Sequence, residues 1–189
     1  MRNRMKKNYR VADYCLGAST VWQSANSGWE ASRMAENKTN AMRLLDKEKI
    51  PYTVHTYEAA QAVDGVSVAG KIGRPPEQVF KTLVTKGKNG CFVFVIPAAA
   101  ELDLKKAARA VGEKAVEMLP VKELLKTTGY VRGGCSPLGM KRAYPTVIAS
   151  QARERETIIV SAGRIGWQVE LPPERLRELT GASFGDINF

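Results

Sequence analysis

Val79-Phe80-Lys81-Thr82-Leu83-Val84-Thr85 and Cys91-Phe92-Val93-Phe94-Val95-Ile96, with Gly87-Lys88-Asn89-Gly90 between them, are the passage from which the fold of this 189-residue chain is read. Both runs are rich in β-branched and aromatic residues and the glycine-bounded segment joining them is short, which is a hairpin signal. Toward the carboxyl end three further runs suit strands: Thr146-Val147-Ile148-Ala149, Thr157-Ile158-Ile159-Val160-Ser161 and Trp167-Gln168-Val169-Glu170-Leu171. Between and around them lie helical segments. Thr39 or Asn40 caps one with the apolar stripe Ala41, Leu44 and Leu45, ended by Pro51. A second runs from Val63 to Ile72 and stops at Gly73-Arg74-Pro75-Pro76. Asp103 caps a third, with Leu104, Ala107, Ala108 and Val111 on one face, and Val121–Thr128 ends at Gly129. Pro172-Pro173 opens the last, with Leu176 and Leu179 inward and Gly181 at its end. Strands mixed with short helices, without strict βαβ alternation, predict a single α+β domain: a mixed or largely antiparallel sheet surrounded by short helices.

The chain length and a hydrophobic content of 44% suit one domain with one substantial core. The longest apolar run, Cys91 to Ala100, is strand-sized and interrupted by Pro97, well short of the roughly 18 residues of a membrane span. Residues 1–33 hold six basic and two acidic residues, so +4 of the net +10 charge lies there and +6 belongs to residues 34–189. That segment has no clear periodicity and no apolar stretch ending in a cleavage site; it reads as a disordered or non-native amino-terminal extension, with the domain occupying 34–189. A moderately basic domain suits a polyanionic partner, and equally a solvated surface. Three widely spaced cysteines (Cys15, Cys91, Cys135) and a single histidine (His55) argue against a disulfide scaffold or a zinc site and fit the cytoplasm.

Three places could carry chemistry. Val79, Lys81 and Leu83 share one strand face, which puts an ammonium between two apolar neighbours. There it supplies fixed positive charge to a reacting oxygen or, equally well on pattern alone, snorkels to water. The stretch Arg132-Gly133-Gly134-Cys135-Ser136-Pro137-Leu138-Gly139-Met140-Lys141-Arg142 places two glycines where successive N–H groups could cradle an oxyanion. A tight turn explains it as readily, and Arg132, Lys141 and Arg142 suit a nucleic-acid backbone or plain solvent. Ser161-Ala162-Gly163-Arg164-Ile165-Gly166 joins two strands with small residues, and the simplest reading of it is a hairpin turn. No P-loop, dinucleotide fingerprint or H-E-x-x-H motif occurs, and nothing in the sequence sets Cys135 or a serine beside His55. No cofactor is called for.

Ile50-Pro51-Tyr52 leading to His55-Thr56-Tyr57, then Val79 to Leu83, Gly133 to Gly139 and Ser161 to Gly166, in this order and spacing, resemble the YbaK/EbsC family from about Lys38 to Asp186. That resemblance implies the fold of the editing domain inserted in bacterial prolyl-tRNA synthetases, and a trans-acting deacylase that removes cysteine from mischarged Cys-tRNA(Pro). It also implies mischarged tRNA and prolyl-tRNA synthetase as partners, with no cofactor and no metal. By the same resemblance Lys81 matches the family's essential lysine, and Gly133, Gly134, Cys135, Ser136 and Pro137 form the loop that embraces the aminoacylated 3′ adenosine. Tyr57 falls at a pocket-lining position and Gly163 where the substrate approaches, while Arg164, Ile165 and Gln168 receive no role. In the implied chemistry the substrate's own thiol attacks its ester carbonyl, which fits the lack of a protein nucleophile. The related Ala-tRNA(Pro) deacylases, a non-catalytic tRNA- or synthetase-binding module and cleavage of a small amino-acid ester remain as alternatives.

Overall fold

In the computed structural model, residues 38–58 and 64–189 are described, and the compact unit spans Thr39–Phe189. The proposed extension 1–33 and the expected helix start at Val63 lie outside the described residues. Helix α1 (Asn40–Lys47) is capped by the Thr39 hydroxyl, which accepts from the Met42 N–H, and buries Ala41, Met42 and Leu45. Strand β1 (Thr53–Thr56) follows. Helix α2 (Gly65–Ile72) begins where the Asp64 carboxylate takes the N–H groups of Val66 and Ser67, and it ends at Gly73 in the left-handed region. One 3-10 turn (Pro76–Gln78) leads into the hairpin of β2 (Phe80–Gly87) and β3 (Gly90–Pro97). Next come α3 (Leu104–Ala110), capped by Asp103, the two-residue β4 (Glu117–Met118) and α4 (Val121–Thr128). The chain closes with β5 (Thr146–Ala149), a 3-10 turn (Ser150–Glu154), β6 (Ile158–Arg164), β7 (Trp167–Leu171), α5 (Pro173–Thr180) and β8 (Ser183–Gly185). Among the described residues no helix is long and apolar enough to cross a membrane.

The strands form two sheets. One has the order β4-β2-β3-β5-β8, with β2 antiparallel to β3 and β4, and with β5 parallel to both β3 and β8. The other is the antiparallel set β1-β7-β6. Among the described residues a single bridging pair, Val79 with Ile159, joins them. Because successive side chains alternate across a strand, the three-stranded sheet has two different faces. Ile158, Val160, Ala162, Val169 and Leu171 enter the main core with Phe94, Ile96 and Ile148. Ile159 looks the other way, into a smaller cluster with Val68, Ala69, Val79 and Ala98, against which Tyr57 and Ile72 pack.

Glu170 fixes this second face. His55 Nε2 lies 2.7 Å from Glu170 Oε2, and Arg74 reaches the same oxygen at 3.1 Å. Thr157 Oγ1 (2.7 Å) and Gln78 Nε2 (3.1 Å) donate to Oε1. Strands β1 and β7 are thereby tied to the connection between α2 and β2. Burial works against ionisation of Glu170, but the hydrogen bonds from Thr157 and His55 and the Arg74 charge outweigh it and hold the carboxyl below the usual range.

A second fixed point is Tyr130, which is buried just after α4. Its hydroxyl donates to the carbonyls of Leu138 (2.7 Å) and Gly139 (3.1 Å). Gly163, at φ +90°, makes room for its ring: a Cβ there would stand 2.7 Å from Tyr130 Cε1. Burial, with a smaller contribution from Cys135, pushes the phenol up to about 12, so it stays a donor throughout the ordinary pH range.

Two outcomes follow. Tyr130→Phe leaves two carbonyls without their donor and lowers stability by about 1–3 kcal/mol, read as an earlier midpoint in denaturant; an unchanged midpoint refutes the anchoring role. Since the folded chain holds Glu170 ionised below the ordinary carboxylate range, its contribution is complete above that range and is lost as pH falls through the depressed value. Glu170→Gln therefore lowers the thermal midpoint at pH 7 and makes the acid side of a midpoint-against-pH profile shallower, whereas a profile parallel to the parent's contradicts the clamp.

Candidate active site

Where the two sheets diverge from the Val79–Ile159 bridge there is a cleft of about 560 Å³, within the range of small-ligand sites. One wall is the start of α2 (Asp64, Gly65, Val68), and the floor is β2 from Val79 to Leu83 with Ala98 beside it. The third side is built by Arg132, Gly133 and Cys135 of the loop after α4, with Ser161 from β6 and Gln168 from β7. Lys81 sits half-buried on this floor, opposite Ile96 across the hairpin. The lining thus joins two cations, Lys81 and Arg132, with one carboxylate, that of Asp64.

Lys81, Gly133, Cys135 and Arg132 are brought together here. Gly133 stands at φ +83°, and the Gly134 N–H donates to the Val131 carbonyl at 3.0 Å, closing a turn. The donor expected of Gly134 is therefore spent within the loop. A Cβ on Gly134 would also meet the backbone of Arg164 and Ile165 at 3.1–3.4 Å, so this glycine seats the loop on the β6–β7 turn. The N–H groups of Gly133 and Cys135 have no acceptor among the described residues. Ser136 is fully buried, and its hydroxyl accepts from the Leu138 N–H inside the loop. Pro137 and Arg142 line a different hollow of about 300 Å³, shared with Leu44 and Leu179.

Three other expected residues stand apart from the cleft lining. Tyr57 packs on the Val68–Ile159 cluster, with the Lys71 ammonium 5.8 Å from its ring centre. Gly163 approaches the Tyr130 ring. Lys141 caps α4: its main-chain N–H donates to Thr128 and its ammonium to the Leu125 carbonyl at 3.3 Å. Arg132 and Arg142 are exposed and carry no ion pair among the described residues.

The cleft also contains residues that the sequence did not single out or to which it gave no role. Gln168 is only 5% exposed yet lines it, opposite Ser161 on β6, and among the described residues its side chain makes no hydrogen bond. The Thr82 hydroxyl is buried with no partner among the described residues. Asp64 carries the only acidic side chain in the lining, and three hydrogen bonds from Val66 and Ser67 hold its carboxyl below the usual range. Cys135 is the one thiol lining the cleft. Burial pushes it up to about 12, a hydrogen bond with Thr128 offsetting only part of the effect, so at neutral pH it is a neutral thiol and a poor nucleophile.

This geometry can place a cation and main-chain donors around an oxygen that gains negative charge, and it offers neutral polar groups to an adjoining part of the ligand. The Aminoacyl-tRNA editing domain family matches residues 54–179. The Enterococcus faecalis (strain ATCC 700802 / V583) protein EbsC, named provisionally as a Cys-tRNA(Pro)/Cys-tRNA(Cys) deacylase, is 50% identical over 161 residues, covering 83% of this chain and 97% of EbsC. The proline--tRNA ligase of Fervidobacterium nodosum (strain ATCC 35602 / DSM 5306 / Rt17-B1) is 27% identical over 106 residues, which are 50% of this chain but 18% of that enzyme. A crystal structure described provisionally as a trans-editing enzyme for prolyl tRNA synthetase superposes with a TM-score of 0.72 at 24% identity, covering 79% of this chain and 95% of the other, and so shares the fold. With its family match spanning β1 to α5 and half the aligned residues shared with EbsC over nearly all of that protein, the chain belongs to the aminoacyl-tRNA editing domain family.

Proposed function

We propose that this protein is a trans-acting deacylase that removes cysteine from mischarged Cys-tRNA(Pro), working in the cytoplasm alongside prolyl-tRNA synthetase. The observation that carries the reading is the meeting of Lys81 with the acceptor-free N–H groups of Gly133 and Cys135 in one cleft, in a chain half identical to EbsC. The terminal adenosine and its ester enter the cleft, with the carbonyl oxygen toward Lys81. The substrate's sulfur then attacks its own ester carbonyl carbon. The bond to the ribose oxygen breaks, the tRNA leaves with its hydroxyl restored by the thiol's proton, and the cyclic thiolactone formed is later hydrolysed to cysteine.

In this scheme the protein contributes position and charge rather than a nucleophile. One preorganised donor to the developing oxyanion is worth about 3–4 kcal/mol of the barrier. The neutral Gln168 amide offers polar contacts to the aminoacyl group without introducing a competing base. Alanine carries no thiol, so its ester requires a positioned water instead; this makes the amino acid itself a test of the chemistry.

Purified Cys-tRNA(Pro) is hydrolysed and Ala-tRNA(Pro) is spared, and Lys81→Ala lowers the rate on Cys-tRNA(Pro) by about a hundredfold to a thousandfold. Full activity in that variant sinks the site assignment, and preference for the alanyl substrate reassigns the enzyme to the related alanine-specific class. Cys135→Ala, which keeps the main-chain N–H, retains most of the parent rate; abolished turnover in a folded Cys135→Ala protein would mean that the thiol acts chemically after all.

A further inference from the structure

The helix that leads into the cleft loop carries a face that nothing in the described residues covers. On α4, Leu124 and Thr128 point inward, against Val84, Val93 and Tyr130 in the first case and to 1% exposure in the second. Val121 (59% exposed) and Leu125 (53%) lie four residues apart on one exposed line. Lys122 and Lys126 form a second exposed line beside it, about 100° further round the helix. Glu123 falls on the far flank, and Glu117 of β4 stands opposite Lys86 across its strand pair. Neither lysine has an ion-pair partner among the described residues. The uncovered face is therefore half aliphatic and half cationic.

It is also continuous with the cleft. Past the end of α4 at Gly129, Val131 is 46% exposed, and the next two residues, Arg132 and Gly133, line the cleft. The carbonyl end of a helix is electronegative and repels an anion, but here the Lys141 ammonium sits on the Leu125 carbonyl and covers that end. We propose that the face Val121-Lys122-Leu125-Lys126, extended by Val131 and Arg132, is the track on which the single-stranded acceptor end of the tRNA lies after leaving the cleft. The proposal rests on the deacylase reading above.

The chemistry of the track matches that occupant. A single strand is held where cations follow its phosphates and apolar side chains cover its base faces, with little reading of base edges. Lys122, Lys126 and Arg132 supply the first, and Val121, Leu125 and Val131 the second. The helix that carries this face is about 12 Å long, room for a couple of nucleotides. A protein partner would be expected to meet some acidic residue of this surface, and none lies on the exposed side of α4.

The test compares the whole protein with the variants Val121→Ser/Leu125→Ser and Lys122→Glu/Lys126→Glu on two substrates, Cys-tRNA(Pro) and 3′-O-cysteinyl-adenosine, which lacks the rest of the acceptor end. All four substituted side chains are exposed, so the variants leave the packed core unchanged. The expected result is a KM for Cys-tRNA(Pro) raised about tenfold in each variant with kcat preserved, and unaltered cleavage of cysteinyl-adenosine. For the charge variant, the log–log salt slope of uncharged tRNA binding also falls by about 1.4, the loss of two phosphate contacts on a single strand. An unchanged KM in both variants overturns the track. So does a defect seen only when added prolyl-tRNA synthetase stimulates the reaction, which would assign the face to the synthetase. Failure of the parent protein to cleave either substrate overturns the deacylase reading and the track with it, and is distinguished by appearing before any variant is made.

Discussion

Between α4 and β5 the chain runs from Gly129 to Pro145 without forming a helix or strand of its own, and Tyr130 supplies the fixed point that such a segment needs. One phenolic hydrogen holds the carbonyls of two successive residues, Leu138 and Gly139, from the far end of the loop. Around the ring the remaining parts fall into place. Gly163 yields to it, Gly134 lies against the β6–β7 turn, and Gly139 comes within van der Waals distance of Asn40 and Ala41 at the start of α1. Buried peptide groups must find partners, and here one side chain satisfies two of them, while the N–H groups of Gly133 and Cys135 have no acceptor among the described residues. The cleft wall is thus a by-product of how the loop is anchored.

The opposite side of the cleft depends on a different kind of contact. Among the described residues only the Val79–Ile159 bridge joins the two sheets by main-chain pairing, and the Glu170 carboxylate reinforces it through four side chains from three segments. A mostly buried carboxylate is costly unless its oxygens are occupied, and both are. This arrangement sets how far Lys81 on β2 lies from Gln168 on β7, two residues before Glu170 on the same strand.

Much of this was legible in the residues. Alternating β-branched and aromatic side chains located β2 and β3, and Asp103 and Thr39 acted as the caps their chemistry suggests. Lys81, flanked by apolar neighbours, did reach the cleft. Other features depend on tertiary proximity and leave no local signal. Two residues at Glu117–Met118 and three at Ser183–Gly185 are too short to show alternation. Strand β6 runs on to Arg164, with a register shift after Ser161, rather than ending at that serine. Lys141 looks like a surface charge until α4 is seen to end beneath it, and Gln168 becomes notable only because β6 and β7 turn its face toward β2.

The parallel pairing of β8 with β5 bears on how the chain reaches this state. All four residues of β5 are buried, and one edge of that strand is satisfied only by Ser183–Gly185, close to the carboxyl end, while the Phe189 N–H closes onto the Glu101 carbonyl. During synthesis the apolar strand Thr146–Ala149 therefore emerges well before its second neighbour. Until Ser183–Gly185 arrive it presents an unpaired edge, the kind of surface on which nascent chains aggregate. The order of synthesis makes β8 a checkpoint for solubility as well as a part of the sheet.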